Sequence, residues 1–111
     1  MSLRYVGRLS ELEGRAQLHR GLARADAFRV HVPDGDGPLS EGRPEFLALP
    51  GVEVGPWDGM RDAVEISGPL TEDARELFLR LRLWDFQLVR AGTVSLQVGD
   101  FEDLQVDDQS S

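Results

Sequence analysis

Short apolar runs separated by turn residues follow one another along most of this chain, whereas helical spacing of apolar residues is confined to two segments. The clearest strand pattern is Ala27–Val32, in which Phe28, Val30 and Val32 point one way and His31 points the other. A chain of 111 residues can bury one hydrophobic core, not two. The mixture of strands and helices therefore predicts a single α+β domain.

The first predicted helix runs from about Glu11 to Ala25, with a capping box in which Ser10 is the N-cap and Glu13 is the third helical residue. Its apolar face is predicted to combine two neighbouring stripes, Leu12, Ala16, His19 and Ala23 beside Leu18, Leu22 and Ala25. Two glycines weaken the helical pattern, so a strand over residues 15–20 is the rival interpretation.

The second predicted helix begins after Thr71, which is a good N-cap, and carries acidic residues in its first turn. Its apolar stripe consists of Ala74, Leu77, Phe78 and Leu81. Two strands follow, Trp84–Val89 and Thr93–Val98, and Gly92 supplies the left-handed residue of a short hairpin loop between them.

The order of elements favours a two-layer sandwich of two helices on a mainly antiparallel sheet, in ferredoxin-like order with an extra C-terminal hairpin. Residues 33–61 are the least regular part, although Glu45–Leu49 has the pattern of a short strand. Asp62–Ser67 is a further strand with Val64 and Ile66 inward. The domain is expected to span residues 1–106, followed by a frayed polar tail over 107–111.

Composition narrows the possible partners. The net charge of −8 disfavours nucleic acid, whose affinity for proteins rests largely on phosphate contacts. No apolar run is long enough to span a membrane, and the first residues do not form a secretory signal, so a cytoplasmic location is expected. The chain contains no Cys, Lys or Asn, which removes thiol and Schiff-base chemistry and suggests a G+C-rich bacterial genome.

Three residues at the end of the alternating strand, His31, Asp34 and Asp36, form a possible divalent-metal half-site, because imidazole and carboxylates are suitable ligands. The set lacks a second histidine nearby, and the glycines around Asp34 are equally typical of a turn. Carboxylate pairs are too frequent in this acidic chain to mark a catalytic site. No catalytic residue and no cofactor is therefore assigned.

The leading functional hypothesis is a non-enzymatic interaction or assembly domain that forms a homodimer or binds another protein. One alternative is an enzyme that acts on a small ligand or uses a divalent metal, with its site in the 33–61 region. Another is an acidic inhibitor or decoy for a basic partner. Trp57 is interpreted as a lid over the core, with a binding anchor as the alternative. The predicted dimer interface consists of Trp84, Phe86 and Leu88 on the hairpin, together with Trp57.

Overall fold

The computed structural model describes residues 3–33, 43–56, 63–81, 83, 85–99 and 103–107. The strands of this part of the chain are β1 (Leu3–Arg8), β2 (Ala27–Pro33), β3 (Glu53–Pro56), β4 (Ala63–Pro69), β5 (Phe86–Arg90), β6 (Thr93–Gly99) and β7 (Asp103–Asp107). The helices are α1 (Leu12–Arg24), α2 (Arg43–Leu47) and α3 (Glu72–Arg80). The predicted α+β class is confirmed.

The seven strands form one sheet in the order β1-β7-β6-β5-β2-β4-β3, and every neighbouring pair is antiparallel. The ferredoxin-like order is not confirmed, and the sheet has more strands than the sequence pattern predicted. The difference arises largely at β7, a strand that the sequence pattern did not predict. It pairs with β6 on one side and β1 on the other, so β1 lies at an edge of the sheet.

Helix α1 is confirmed, and the rival strand over residues 15–20 is wrong. The predicted capping box is also wrong, because Glu11 is the N-cap and its carboxylate Oε1 accepts a hydrogen bond from the backbone N–H of Arg8, 2.8 Å away. The buried stripe runs through Gly14, Leu18 and Leu22 and continues to Ala25 just beyond the helix. Of the two stripes predicted for the apolar face, Leu18, Leu22 and Ala25 are therefore buried as expected, whereas Leu12, Ala16, His19 and Ala23 are exposed.

Two glycines explain why α1 packs on this stripe. A Cβ atom at Gly14 would lie 2.0 Å from the carbonyl oxygen of Arg8, and one at Gly21 would lie 2.7 Å from Cδ1 of Leu96. At Gly14 and Gly21 the helix backbone therefore lies close to residues of β1 and β6. The glycines that weakened the helical pattern in the sequence mark the packed face of the helix.

The Gly14→Ala substitution is expected to lower the free energy of unfolding by about 1–2 kcal/mol, although alanine is the better helix former, because the backbone of Arg8 cannot move aside cheaply. The matched control is Gly21→Ala, whose new methyl meets side-chain atoms of Leu96 and Leu88 but no backbone atom and should change stability by less than about 1 kcal/mol. Urea titrations of both variants measure the difference. Equal effects would contradict the assignment of Gly14 as a backbone contact.

The core contains four phenylalanines from four elements. The Phe78 ring on α3 lies 5.6 Å from Phe28 on β2, 5.3 Å from Phe46 on α2 and 4.9 Å from Phe86 on β5, between ring centroids. The short strand predicted over Glu45–Leu49 is wrong, because this segment contributes to helix α2. Proline is tolerated in the first turn of a helix, as Pro44 is here, and the buried Phe46 ties the helix to the core.

Helix α3 and the β5–β6 hairpin follow the sequence pattern closely. The side-chain Oγ1 of Thr71 accepts a hydrogen bond from the backbone N–H of Ala74 at 3.2 Å, which confirms the predicted N-cap. Ala74, Leu77 and Phe78 are buried as expected, and Leu81 follows the last helical residue and packs partly buried against the core. The hairpin turns through two residues of positive φ, Ala91 and Gly92. Among the described residues, no helix is long and apolar enough to cross a membrane.

Candidate functional site

A histidine is buried on the side of the sheet that faces away from the core. Strand β2 directs Phe28, Val30 and Val32 into the core, as predicted, so His31 points to the opposite side, here called the outer face. Most outer-face positions of an antiparallel sheet contact water. The His31 side chain is nevertheless only 5% exposed, so its polar atoms need partners within the protein.

Two carboxylates supply those partners. The Nδ1 atom of His31 lies 2.6 Å from Oδ1 of Asp85, and its Nε2 atom lies 2.9 Å from Oε2 of Glu65. Glu65 is directly opposite His31 in the β2–β4 register, and Asp85 immediately precedes β5. The backbone N–H of His31 also donates to the carbonyl oxygen of Asp85 at 3.0 Å. These three residues form a carboxylate–histidine cluster built from β2 and its two neighbouring strands.

The cluster favours a positively charged imidazole. Burial acts against protonation of His31, but the hydrogen bonds to Asp85 and Glu65 and the negative charges of both carboxylates outweigh it and raise the pKa of His31 above 6.5. In the protonated form each ring N–H donates to one carboxylate. When His31 is protonated, the cluster is an ion-paired network of one imidazolium and two carboxylates.

This geometry occupies both ring nitrogens, so the described arrangement leaves neither one to bind a metal ion. The two other residues of the predicted metal half-site, Asp34 and Asp36, lie outside the described residues. Within the part of the chain that the structure describes, no group of three or more histidine, cysteine, aspartate or glutamate side chains is arranged to hold a metal ion. Of the predicted half-site, the structure describes only His31, and the observed partners of its ring are Glu65 and Asp85.

Sequence reasoning missed both partners for a physical reason. Glu65 lies between the inward residues Val64 and Ile66, so its outward direction was available from the alternation alone. The sequence pattern did not show which strand lies beside β2, because strand pairing depends on the whole sheet. Asp85 lies 54 residues from His31 along the chain, and Glu65 lies 34 residues from it.

A row of polar side chains continues across the outer face beside the cluster. Arg29 Nη1 donates to Gln87 Oε1 at 3.3 Å, and Gln87 Nε2 donates to Gln97 Oε1 at 2.9 Å. These residues occupy directly opposed positions on β2, β5 and β6. Because the amide groups bond to one another across the strands, this part of the outer face is suited to water or polar contacts, not to an apolar interface.

Of the four residues predicted to form a dimer interface, two lie in the core and two lie outside the described residues. Phe86 and Leu88 are 1% and 0% exposed and belong to the core of the single chain, so their side chains offer no surface to a partner. The reason is that β5 lies in the middle of the sheet, where its apolar side is covered, and not at an edge. Trp57 and Trp84 lie outside the described residues.

Comparisons with known proteins do not assign a role to these features. No protein-family model matches the chain, and neither a curated protein nor a solved structure matches it significantly. The function is therefore inferred from the strand order and from the contacts, burial and charges of the described residues.

Proposed function

We propose that the protein is a non-enzymatic interaction domain that associates with a second copy of itself through strand β3. The single observation that carries the proposal is an apolar row that runs across the core side of the sheet and ends at an uncovered residue. A two-layer arrangement, with the helices on this side of the sheet, is part of the proposal. In this arrangement the apolar layer reaches solvent at β3.

The row follows directly opposed residues from β7 to β3. Its members, in spatial order, are Leu104, Val98, Phe86, Val30, Ile66 and Val54. The first five are 0–1% exposed, whereas Val54 is 52% exposed. Because Val54 shares the face of Ile66, its exposure extends the buried layer to the surface. A second copy that covers Val54 would complete this layer.

The two edges of the sheet differ in how well they resist pairing. Strand β1 carries Arg4 and Arg8 and has a register shift between Tyr5 and Gly7, and charges and bulges both hinder edge-to-edge association. Strand β3 carries one charged residue, Glu53, and ends at Pro56, but it pairs with β4 in regular register, and no other described strand pairs with it. Antiparallel pairing of two β3 strands about a twofold axis would continue the sheet and bring the two Val54 side chains together.

The purified protein is expected to have twice its 12.3 kDa chain mass when gel filtration is coupled to light scattering. Val54→Lys places a charge in the proposed contact and should give the single-chain mass, while its thermal unfolding shows that it still folds. The control is Tyr5→Lys, which adds the same charge at an exposed position on the opposite edge and should leave the dimer intact. A wild-type protein that stays at the single-chain mass at high concentration contradicts the proposal.

A small-ligand or metal-dependent enzyme with its site in the 33–61 region is the second candidate. The carboxylate–histidine cluster favours it, because His31 stands just before this region and a histidine with a raised pKa can transfer protons near neutral pH. Calorimetric titration with zinc and manganese tests the metal-dependent form. Binding by the wild-type protein that is lost in His31→Ala would favour this candidate over the interaction domain.

A further inference from the structure

The row of outer-face residues that contains His31 leads to the edge strand β3. His31, Glu65 and Gly55 occupy directly opposed positions on β2, β4 and β3. A Cβ atom at Gly55 would meet no atom within 4 Å apart from its chain neighbours, so the outer face is open between Glu65 and the edge. The Glu65 carboxylate is therefore the charged group of this row that lies nearest to the proposed dimer contact.

Pairing of two β3 strands extends this row into the partner. When the two Val54 residues are opposite each other, Gly55 is opposite Glu53 of the partner subunit. Glu53 and Gly55 alternate with Val54 along β3, so both lie on the outer face. Two strand spacings of about 4.8 Å each then separate the backbones of Glu65 and the partner's Glu53, and no side chain lies between them.

The protonation of His31 determines whether the charge of Glu65 is balanced. In the protonated ring each N–H donates to one carboxylate, whereas the neutral ring keeps a single N–H. Asp85 is the closer partner, at 2.6 Å against 2.9 Å for Glu65, so the single N–H stays with Asp85. The Nε2 lone pair then faces the Glu65 carboxylate and repels it. Glu65 is 34% exposed, so its side chain can turn into the open space over Gly55.

The other charged groups that the structure describes around Glu65 do not replace the imidazolium. Arg29 lies diagonally opposite on β2, and its guanidinium donates to Gln87 Oε1 at 3.3 Å. Asp85, just before β5, is acidic, and the one charged side chain of the described strand β3 is Glu53. Loss of the His31 proton therefore adds one unit of negative charge per chain beside the β3 edge.

We propose that protonation of His31 strengthens the association of two β3 strands and that its deprotonation weakens it, through the charge of Glu65 beside Glu53 of the partner subunit. The inference rests on the proposed self-association through β3. Twofold symmetry places two such glutamate pairs in each dimer. At about 7 Å in water, each repulsion changes an equilibrium constant about threefold, so the dimer Kd is expected to rise about tenfold when His31 loses its proton.

The test measures the dimer Kd by analytical ultracentrifugation from about pH 6 upward, while nuclear magnetic resonance follows the His31 ring signal in the same buffers. The Kd should rise across the interval in which the ring titrates, and this interval should lie above pH 6.5 because the cluster raises the pKa of His31. Glu53→Gln leaves His31 and Glu65 unchanged and should reduce the rise to less than about twofold. The matched control Glu76→Gln removes an exposed carboxylate of α3 and should leave the rise as it is in the wild type.

Glu65→Gln should also abolish the rise, and its amide can donate to the neutral ring, so the cluster keeps this contact without the charge. Added salt should reduce the rise in the wild-type protein, because it screens exposed charges. A constant Kd while His31 titrates overturns the inference and leaves the proposed dimer standing. An unchanged rise in Glu53→Gln overturns the inference as well. A protein that stays at the single-chain mass at every pH contradicts the dimer and the inference together.

Discussion

Replacing Phe78 by alanine is expected to lower the free energy of unfolding by about 3–5 kcal/mol. The ring is 2% exposed and contacts three other phenylalanine rings from β2, α2 and β5, so its removal leaves a cavity shared by four elements. Alanine is itself a strong helix former, so the loss would report packing and not the formation of α3. Chemical denaturation followed by circular dichroism measures the change.

The neighbouring Leu79→Ala variant is the matched control. Leu79 lies on the same helix but is 37% exposed, so we expect a loss of less than about 1.5 kcal/mol. Similar losses in the two variants would mean that α3 does not present the Phe78 face to the core. A near-neutral Phe78→Ala variant would show the same.

Stability is expected to depend on the protonation of His31. Because its pKa is raised in the folded protein, the native state binds this proton more tightly than the unfolded chain does. The resulting stabilisation is fully present below pH 6.5, the ordinary histidine value, and is lost as the pH rises through the folded pKa. The free energy of unfolding should therefore decrease from pH 6 upward across this interval.

The His31→Ala variant tests the cluster directly. At about pH 6 we expect a loss of about 2–3 kcal/mol, less than for a fully buried ion pair, because Glu65 remains 34% exposed. The loss should become smaller as the pH rises through the folded pKa of His31, because the wild-type imidazole then becomes neutral. The control His19→Ala removes an exposed histidine on α1 and should not show the loss at pH 6. A His31 ring signal that titrates below pH 6.5 would contradict the proposed ion pairing.

The dimer interface predicted from the sequence and the one proposed from the structure lie on different strands. The hairpin was expected to supply the dimer interface because its strands are rich in large apolar residues. In the sheet those strands are central, so their apolar sides are used within the chain. The exposed apolar residue of the same row lies on β3, in the region that the sequence pattern described least well.

The elements whose signals are local could be predicted from the sequence alone. The N-cap and apolar spacing of α3, the alternation of β2 and the glycine of the β5–β6 turn were all predicted, because each depends on neighbouring residues only. For the same reason the direction of His31, away from the core, followed from the alternation. Local pattern also indicated the α+β class.

The tertiary structure was needed to choose between the two predicted stripes of α1, to identify what His31 contacts and to locate the edges of the sheet. The stripe through Leu18 and Leu22 is the buried one, and it includes Gly14, whose close approach to the Arg8 carbonyl no hydrophobic pattern reveals. Glu65 and Asp85 reach His31 because β4 and the residue before β5 flank β2. Strand pairing is decided by the packing of the whole chain, since the backbone groups that join two strands are the same in every residue except proline.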